Sequence, residues 1–288
     1  MAGRSAEAAE AHRRAGEHAR AVFANREARE HLEAALALGH PATADLHEAL
    51  GDVLTMLGDY VGAISQLESA AALAGSDRVA TIEHRLARVH ARRGDWARAD
   101  SHAAAALAAS RGDGRARSAV LADRSAIADR SGDSAAADGL SREALALAEA
   151  ADDAPGIARA LDIIGILARR RGDLASASAH LERAVAVSAT TGDLGLRVAS
   201  LNSLALVRAA IGDREAALVL TGEALALCSR QGDRHRQAAL ENNLADLLQA
   251  GGRRDEAMEH LKRAVSIFAD VGGDSGELEP EIWKLVEW

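Results

Sequence analysis

The sequence predicts an all-α fold, a solenoid of stacked helix pairs, and three observations carry that reading. Gly-Asp pairs stand at Gly172-Asp173, Gly192-Asp193, Gly212-Asp213 and Gly232-Asp233, with Gly252 after them, each twenty residues beyond the last. Ala/Leu-rich amphipathic runs fill the intervals. Alanine also recurs in register, at Ala28, Ala63, Ala99, Ala137, Ala177, Ala217 and Ala257, and again seven residues later at Ala35, Ala70, Ala106, Ala144, Ala184, Ala224 and Ala264.

Glycine tolerates the left-handed conformation just past a helix end, and aspartate accepts hydrogen bonds from the open N–H groups of the next helix. Each pair therefore stops one helix and starts another. At about 1.5 Å rise per residue the roughly 16 residues between turns make a helix of about 24 Å, and two of these form one repeating unit. Counting backward gives seven units, at approximately 9–42, 44–78, 80–114, 118–152, 158–194, 198–234 and 238–272, in a single domain spanning 1–288.

Two alanines seven residues apart lie two turns apart on one helix face. With a small residue on each first helix (Gly16, Gly51, Ala87, Ser125, Gly165, Ala205, Ala245), they mark where helices cross with little side chain between them. Large apolar residues such as Leu32, Leu67, Leu181 and Leu261 fill the groove beside the crossing. The first unit has Phe23-Ala24 in place of Gly-Asp, which makes Asn25 the expected cap. The fourth has Arg124-Ser125 and follows the thin run Ala103 to Ala106, so the softest junction is expected around residues 99–130. Pro41, Pro155 and Pro280 all fall at a connection or a helix start. A last helix over 278–288, with Ile282, Trp283, Leu285, Val286 and Trp288, is expected to cover the open face of the final unit.

Leu50-Gly51, Gly58-Asp59-Tyr60, Ala63 and Ala70, and again Leu86-Ala87, Gly94-Asp95-Trp96, Ala99 and Ala106, resemble the tetratricopeptide repeat family over about residues 5–270. The C-terminal units, 40 residues long, resemble the kinesin-light-chain type. That resemblance implies a right-handed α-solenoid whose first helices line a concave groove. The opening His12 to Ala19 through Asn25, with His31 to Pro41, and the ending Glu279 to Trp288 are also similar to the repeat arm of actinobacterial signal-transducing (STAND) ATPase regulators.

Composition narrows the function. The net charge is −9 with only six aromatic residues, which disfavours a phosphate backbone as partner, since such binding draws on dense positive charge and stacking rings. No run of 18 apolar residues and no apolar leader occur, so neither a membrane span nor export is expected. The single Cys228 excludes an internal disulfide framework and fits a cytoplasmic setting. Neither a nucleophile elbow nor a phosphate loop nor metal-ligand spacing of the histidines is found. Gly112-Asp113-Gly114 and the aspartates at the turns are accounted for as helix punctuation. The expectation is a protein that is not an enzyme and uses no cofactor or metal.

Carried onto this chain, the family's groove row is Arg13, Glu48, His84, Ala122, Asp162, Asn202 and Asn242, with Asn243 and Arg88 beside it. Asparagine offers both a donor and an acceptor, so a row of them can hold an extended peptide by its backbone. Arg169 and Arg170, ending a first helix as Arg92 and Arg93 do, fit the macrodipole and could also grip a carboxylate. The resemblance thus implies a regulatory scaffold for a protein or peptide partner, or alternatively the sensor arm of a larger ATPase-type transcriptional regulator. The solenoid's end faces leave self-association open.

Overall fold

The computed structural model describes residues 2–271, and every regular element within them is an α-helix. The first pair is α1 (Ala2–Ala21) and α2 (Asn25–Ala37), followed by α3 (Thr43–Leu57) with α4 (Tyr60–Leu73), and α5 (Val79–Arg93) with α6 (Trp96–Ala109). The fourth and fifth pairs are α7 (Gly114–Arg130) with α8 (Ser134–Ala150) and α9 (Ala154–Arg170) with α10 (Leu174–Thr191). Then come α11 (Leu194–Ala210) with α12 (Arg214–Gln231) and α13 (Arg234–Ala250) with α14 (Arg254–Val271). The pairs follow the seven units read from the sequence. The expected helix over 278–288 lies outside the described residues.

The punctuation works as its chemistry dictates. Asp59, Asp95, Asp113, Asp133, Asp173, Asp193, Asp213 and Asp233 each cap a helix, accepting from the backbone N–H three residues on. Asn25 departs from expectation. Ala24 holds the cap position of α2 without a side-chain bond, and Asn25 is the first helical residue. Phe23 takes the left-handed conformation (φ 60°) that glycine supplies at most of the other turns. The Asn25 amide is used elsewhere, as described below.

The alanine pairs and the small first-helix residues mark the crossings. Every one of the fourteen register alanines is buried. A Cβ added to Gly165 would stand 2.5 Å from Leu181 Cγ, and one on Gly51 2.8 Å from Leu67 Cγ, so the groove-filling leucines occupy the space that glycine vacates. At the fourth unit the small residue is polar, and Ser125 Oγ donates to the Ala137 carbonyl at 2.7 Å, which satisfies a buried hydroxyl.

Apolar burial is uneven along the stack. The buried residues of α6 are Ala99, Ala103 and Ala106, whereas α9 buries Leu161, Ile163, Ile166 and Leu167. The α6 alanines meet Val120 and Ile127 of α7, and at about 25 cal/mol per Å² of buried apolar area their small side chains contribute little to that junction. Amide hydrogen exchange is expected to show least protection across α6 and α7; uniform protection along the stack would contradict this.

The solenoid curls until its last units meet its early ones. Asn25 Nδ2 donates to the Gln231 carbonyl at 3.0 Å, across 206 residues of chain. Gly58, in the left-handed conformation at φ 86°, packs against Val271 so closely that a Cβ there would lie 2.7 Å from Val271 Cγ1. The Tyr60 and His235 rings are 6.0 Å apart, and His235 meets Phe268 edge-on. At the centre of this seam Arg92 makes a two-pronged bond to Asp233, Nη1 to Oδ1 at 3.0 Å and Nη2 to Oδ2 at 2.6 Å. The result is a ring whose first helices face inward.

Candidate functional site

From α3 to α13, polar side chains of one first helix engage those of the next. Glu48 on α3 accepts from Arg85 on α5 and lies 2.7 Å from Arg78 Nη2. His84 Nε2 on α5 is 2.8 Å from Asp123 Oδ2 on α7, whose other oxygen accepts from Arg159 on α9 at 3.1 Å. Asp162 on α9 has Ser203 of α11 beside it, whose hydroxyl favours the ionised carboxylate. Asn243 on α13 donates to Asn202 Oδ1 on α11 at 2.8 Å. The members of the expected row that are paired in this way hold neighbouring repeats together rather than standing open.

The site residues expected from the sequence fall into two groups. Glu48, His84, Arg88, Asp162, Asn202, Asn242 and Asn243 stand on successive first helices, with His84 and Arg88 both beside Asp123 and Asn202 paired with Asn243. Asn202 and Asn243 are each 1% exposed and Asn242 is 8% exposed, so the amides form a buried pin rather than an open comb. Asn202 Nδ2 and Asn243 Oδ1 nevertheless have no hydrogen-bond partner among the described residues, a donor and an acceptor side by side. Arg169 and Arg170 lie two turns further along α9, where Arg170 pairs with Asp129 of α7. Arg13, at the row's start, pairs with Glu10 at 2.7 Å and with Glu17.

Electrostatics sharpen the interior. Burial pushes the Asp162 carboxyl up to about 7, against the pull of the Ser203 hydroxyl and of Arg236 and Arg159. Its Oδ1 has no hydrogen-bond partner among the described residues. Asp123 behaves oppposite to it: burial works to raise its pKa, but the Arg159 charge and the His84 bond more than offset that and hold it well below the usual range. Burial likewise draws Arg88 down to about 10, helped by Arg159, Arg92 and Arg236. The Arg88 side chain is 44% exposed. Cys228 is fully buried, and its thiol is pushed up to about 12, as an inert packing residue requires.

Several interior residues were not singled out from the sequence: Asp123, Arg159 and Arg236, with Asp233 known only as a cap and Arg92 only as a helix-end cation. Each of Asp123 and Arg159 stands within a turn of the expected row, at the neighbouring inward position, and that spacing is the signal that could have found them. The Arg92–Asp233 pair joins residues 141 apart and leaves no local mark.

Among the described residues no group of three or more His, Cys, Asp or Glu could hold a metal ion, and no helix is long and apolar enough to cross a membrane.

Comparison with known proteins agrees with the helix geometry. Residues 196–270 match the family profile described as tetratricopeptide repeat. The fold is similar to the Rap conjugation gene regulator of plasmid pLS20 in complex with the Phr* peptide, with TM-score 0.69 and 14% identity over 93% of this chain and 75% of that one. It is also similar to a Rap protein complexed with competence and sporulation factor (TM-score 0.63, 14% identity, 85% of this chain and 81% of that one). A tetratricopeptide repeat protein from Parabacteroides merdae aligns at TM-score 0.55 and 17% identity, over 91% and 93% of the two chains. Among curated proteins no sequence matches. The profile match in the last two units, the recurring Gly-Asp turns and the paired alanines converge: residues 196–270 carry tetratricopeptide repeats, and the described chain is an all-α solenoid of helix pairs.

Proposed function

We propose that the protein is a non-enzymatic scaffold that binds a peptide or an extended protein segment on its inward face. The observation that carries this reading is the unsatisfied polar chemistry there: Asn202 Nδ2, Asn243 Oδ1 and Asp162 Oδ1 all lack hydrogen-bond partners among the described residues. A buried polar atom left unpaired costs roughly 1–3 kcal/mol, so a rearrangement of these buried side chains that admits a ligand gains on that scale. A peptide unit presents one acceptor and one donor, which complements the asparagine pair. The two Rap structures similar in fold were determined in complexes, one with the Phr* peptide and the other with competence and sporulation factor, which supports this reading. Regulation fits the ring, since an occupant held on the inner face bears on how the ends meet.

The test is photo-crosslinking in the native host, with the crosslinker placed at Arg85 or Asn242 on the inner face and at Val219, 68% exposed, on the outside. A discrete adduct from the inner positions and none from Val219 is the expected result. Adducts from Val219 alone, or none from the inner positions, would overturn the reading.

A further inference from the structure

We propose that the seam is a proton-operated latch: His235, held between Tyr60 at the start of α4 and Phe268 of α14, must stay neutral for the ring to close, so that mild acid opens the solenoid. The inference goes beyond the scaffold reading and stands whether or not the inward face takes a peptide.

The seat of His235 is the central observation. Its ring lies 6.0 Å from that of Tyr60, tilted by 56°, and 6.0 Å from that of Phe268, edge-on at 88°. Tyr60 belongs to the early units and Phe268 to the last one, so the imidazole is part of the contact that joins the two ends. Its Nδ1 is shut off from solvent and has no hydrogen-bond partner among the described residues. A neutral imidazole can leave one nitrogen bare, whereas an imidazolium carries N–H on both. Protonating His235 in the closed ring therefore puts an N–H on Nδ1 where no acceptor stands, and a buried donor left unpaired is costly.

The surrounding charge also works against the proton. Arg92 at the end of α5 and Arg236, next along α13, both oppose it, and Asp233, which favours it, is already engaged by Arg92 through bonds of 3.0 and 2.6 Å. Tyr60 faces the ring uncharged, its hydroxyl pushed up to about 12 chiefly by burial. Burial is the largest influence on His235 as well, and with the two guanidiniums it holds the imidazole down to about 4 from an ordinary 6.5.

Opening removes these causes. When the ends part, Tyr60 and Arg92 leave with the early units, water reaches the imidazole, and its ordinary affinity for a proton returns. Below pH 6.5 the open form takes up a proton that the closed form refuses, so closure weakens as pH falls through 6.5 and the loss is complete near 4. Asp233 adds to that loss only below its own ordinary 3.8, so the window between belongs to His235. At pH 5 this linkage multiplies the open-to-closed ratio about thirtyfold over its value at pH 8.

The experiment uses the full chain with Leu73→Cys and Val265→Cys, exposed positions on α4 and α14, carrying a donor and acceptor dye; the native Cys228 is buried. Single-molecule energy transfer then counts closed and open rings from pH 8 to pH 4.5, with circular dichroism alongside. The parent is expected to shift toward the open form about thirtyfold between pH 8 and pH 5 at constant helix content. His235→Phe, which keeps an aromatic ring against Tyr60 and Phe268, should hold one ratio across the range. Ring-proton NMR of the parent, with the His235 signal identified by its absence from that variant, should give a midpoint well below 6.5. A ring that stays closed to pH 4.5, an equal acid shift in His235→Phe, helix loss in step with the dye signal, or a His235 midpoint at 6.5 or above would each overturn the proposal. Should His235→Phe not close at pH 8, the parent's dye ratio and NMR midpoint decide between the same outcomes.

Discussion

Arg92→Ala is expected to open the ring without unfolding the helix pairs. In the closed form Asp233 is fully buried, and its carboxylate is held ionised against burial by the Arg92 charge and bonds. Removing one partner of a buried ion pair typically costs about 3–5 kcal/mol, because the remaining charge is left without compensation. The seam has little to set against that. No buried apolar cluster among the described residues spans it: one core runs from Ala19 to Val89, and another joins Ala238 and Ala239 to Ile267 and Phe268. Separating the ends lets water reach Asp233, which is the cheaper relief. Small-angle scattering should show a larger radius of gyration for the variant, while its helix content and melting stay close to those of the parent. An unchanged radius with a melting point lowered by several degrees would mean that the Asn25, Gly58 and Tyr60 contacts suffice to hold the seam.

Asp162→Asn is expected to stabilise the protein, and more so at higher pH. The folded carboxyl titrates near 7 against an ordinary 3.8, so the folded state keeps a proton that the unfolded chain has released. Between those values stability falls as pH rises, and above about 7 the loss is complete. A shift of this size corresponds to roughly 4 kcal/mol at about 1.36 kcal/mol per unit. The charged groups facing it are Arg159 on its own helix and Arg236 on α13, neither close enough to cancel the burial cost. His84 and Asp123 belong to the neighbouring link of the ladder. Asparagine keeps the shape while removing the ionisation. Denaturation of both proteins above pH 7 should show the variant ahead, with the gap narrowing as pH falls. A gap independent of pH would refute this.

Local chemistry made most of the fold legible. Gly-Asp turns, alanines seven residues apart and leucines beside them are each read within one helix pair, and the structure places them where that reading requires. The polar row was legible for the same reason, because one position per first helix repeats with the unit. What that row does was not. Asn202 and Asn243 bond to each other, and Glu48 and His84 are taken up by Arg85 and Asp123. Such pairing depends on which residue of the next repeat stands opposite, a matter of superhelical twist that no single repeat encodes. Ring closure is more remote still. Arg92 at a helix end and Asp233 at a helix start each have a sufficient local explanation, and only the accumulated curvature of five helix pairs brings them together. Asn25 misled for the opposite reason: its type suits a cap, but its amide is drawn across the seam to the Gln231 carbonyl.

The dual employment of Asp233 limits how this protein can change over generations. An open stack of repeats tolerates duplication or loss of a unit, because each touches only its neighbours. Here one aspartate both starts α13 and locks onto Arg92, and inserting or deleting a unit between residues 95 and 231 would rotate it away from that partner. Repeat number is thereby fixed at the count that lets the two ends find one another, while the outward surfaces of the same helices stay free to diverge.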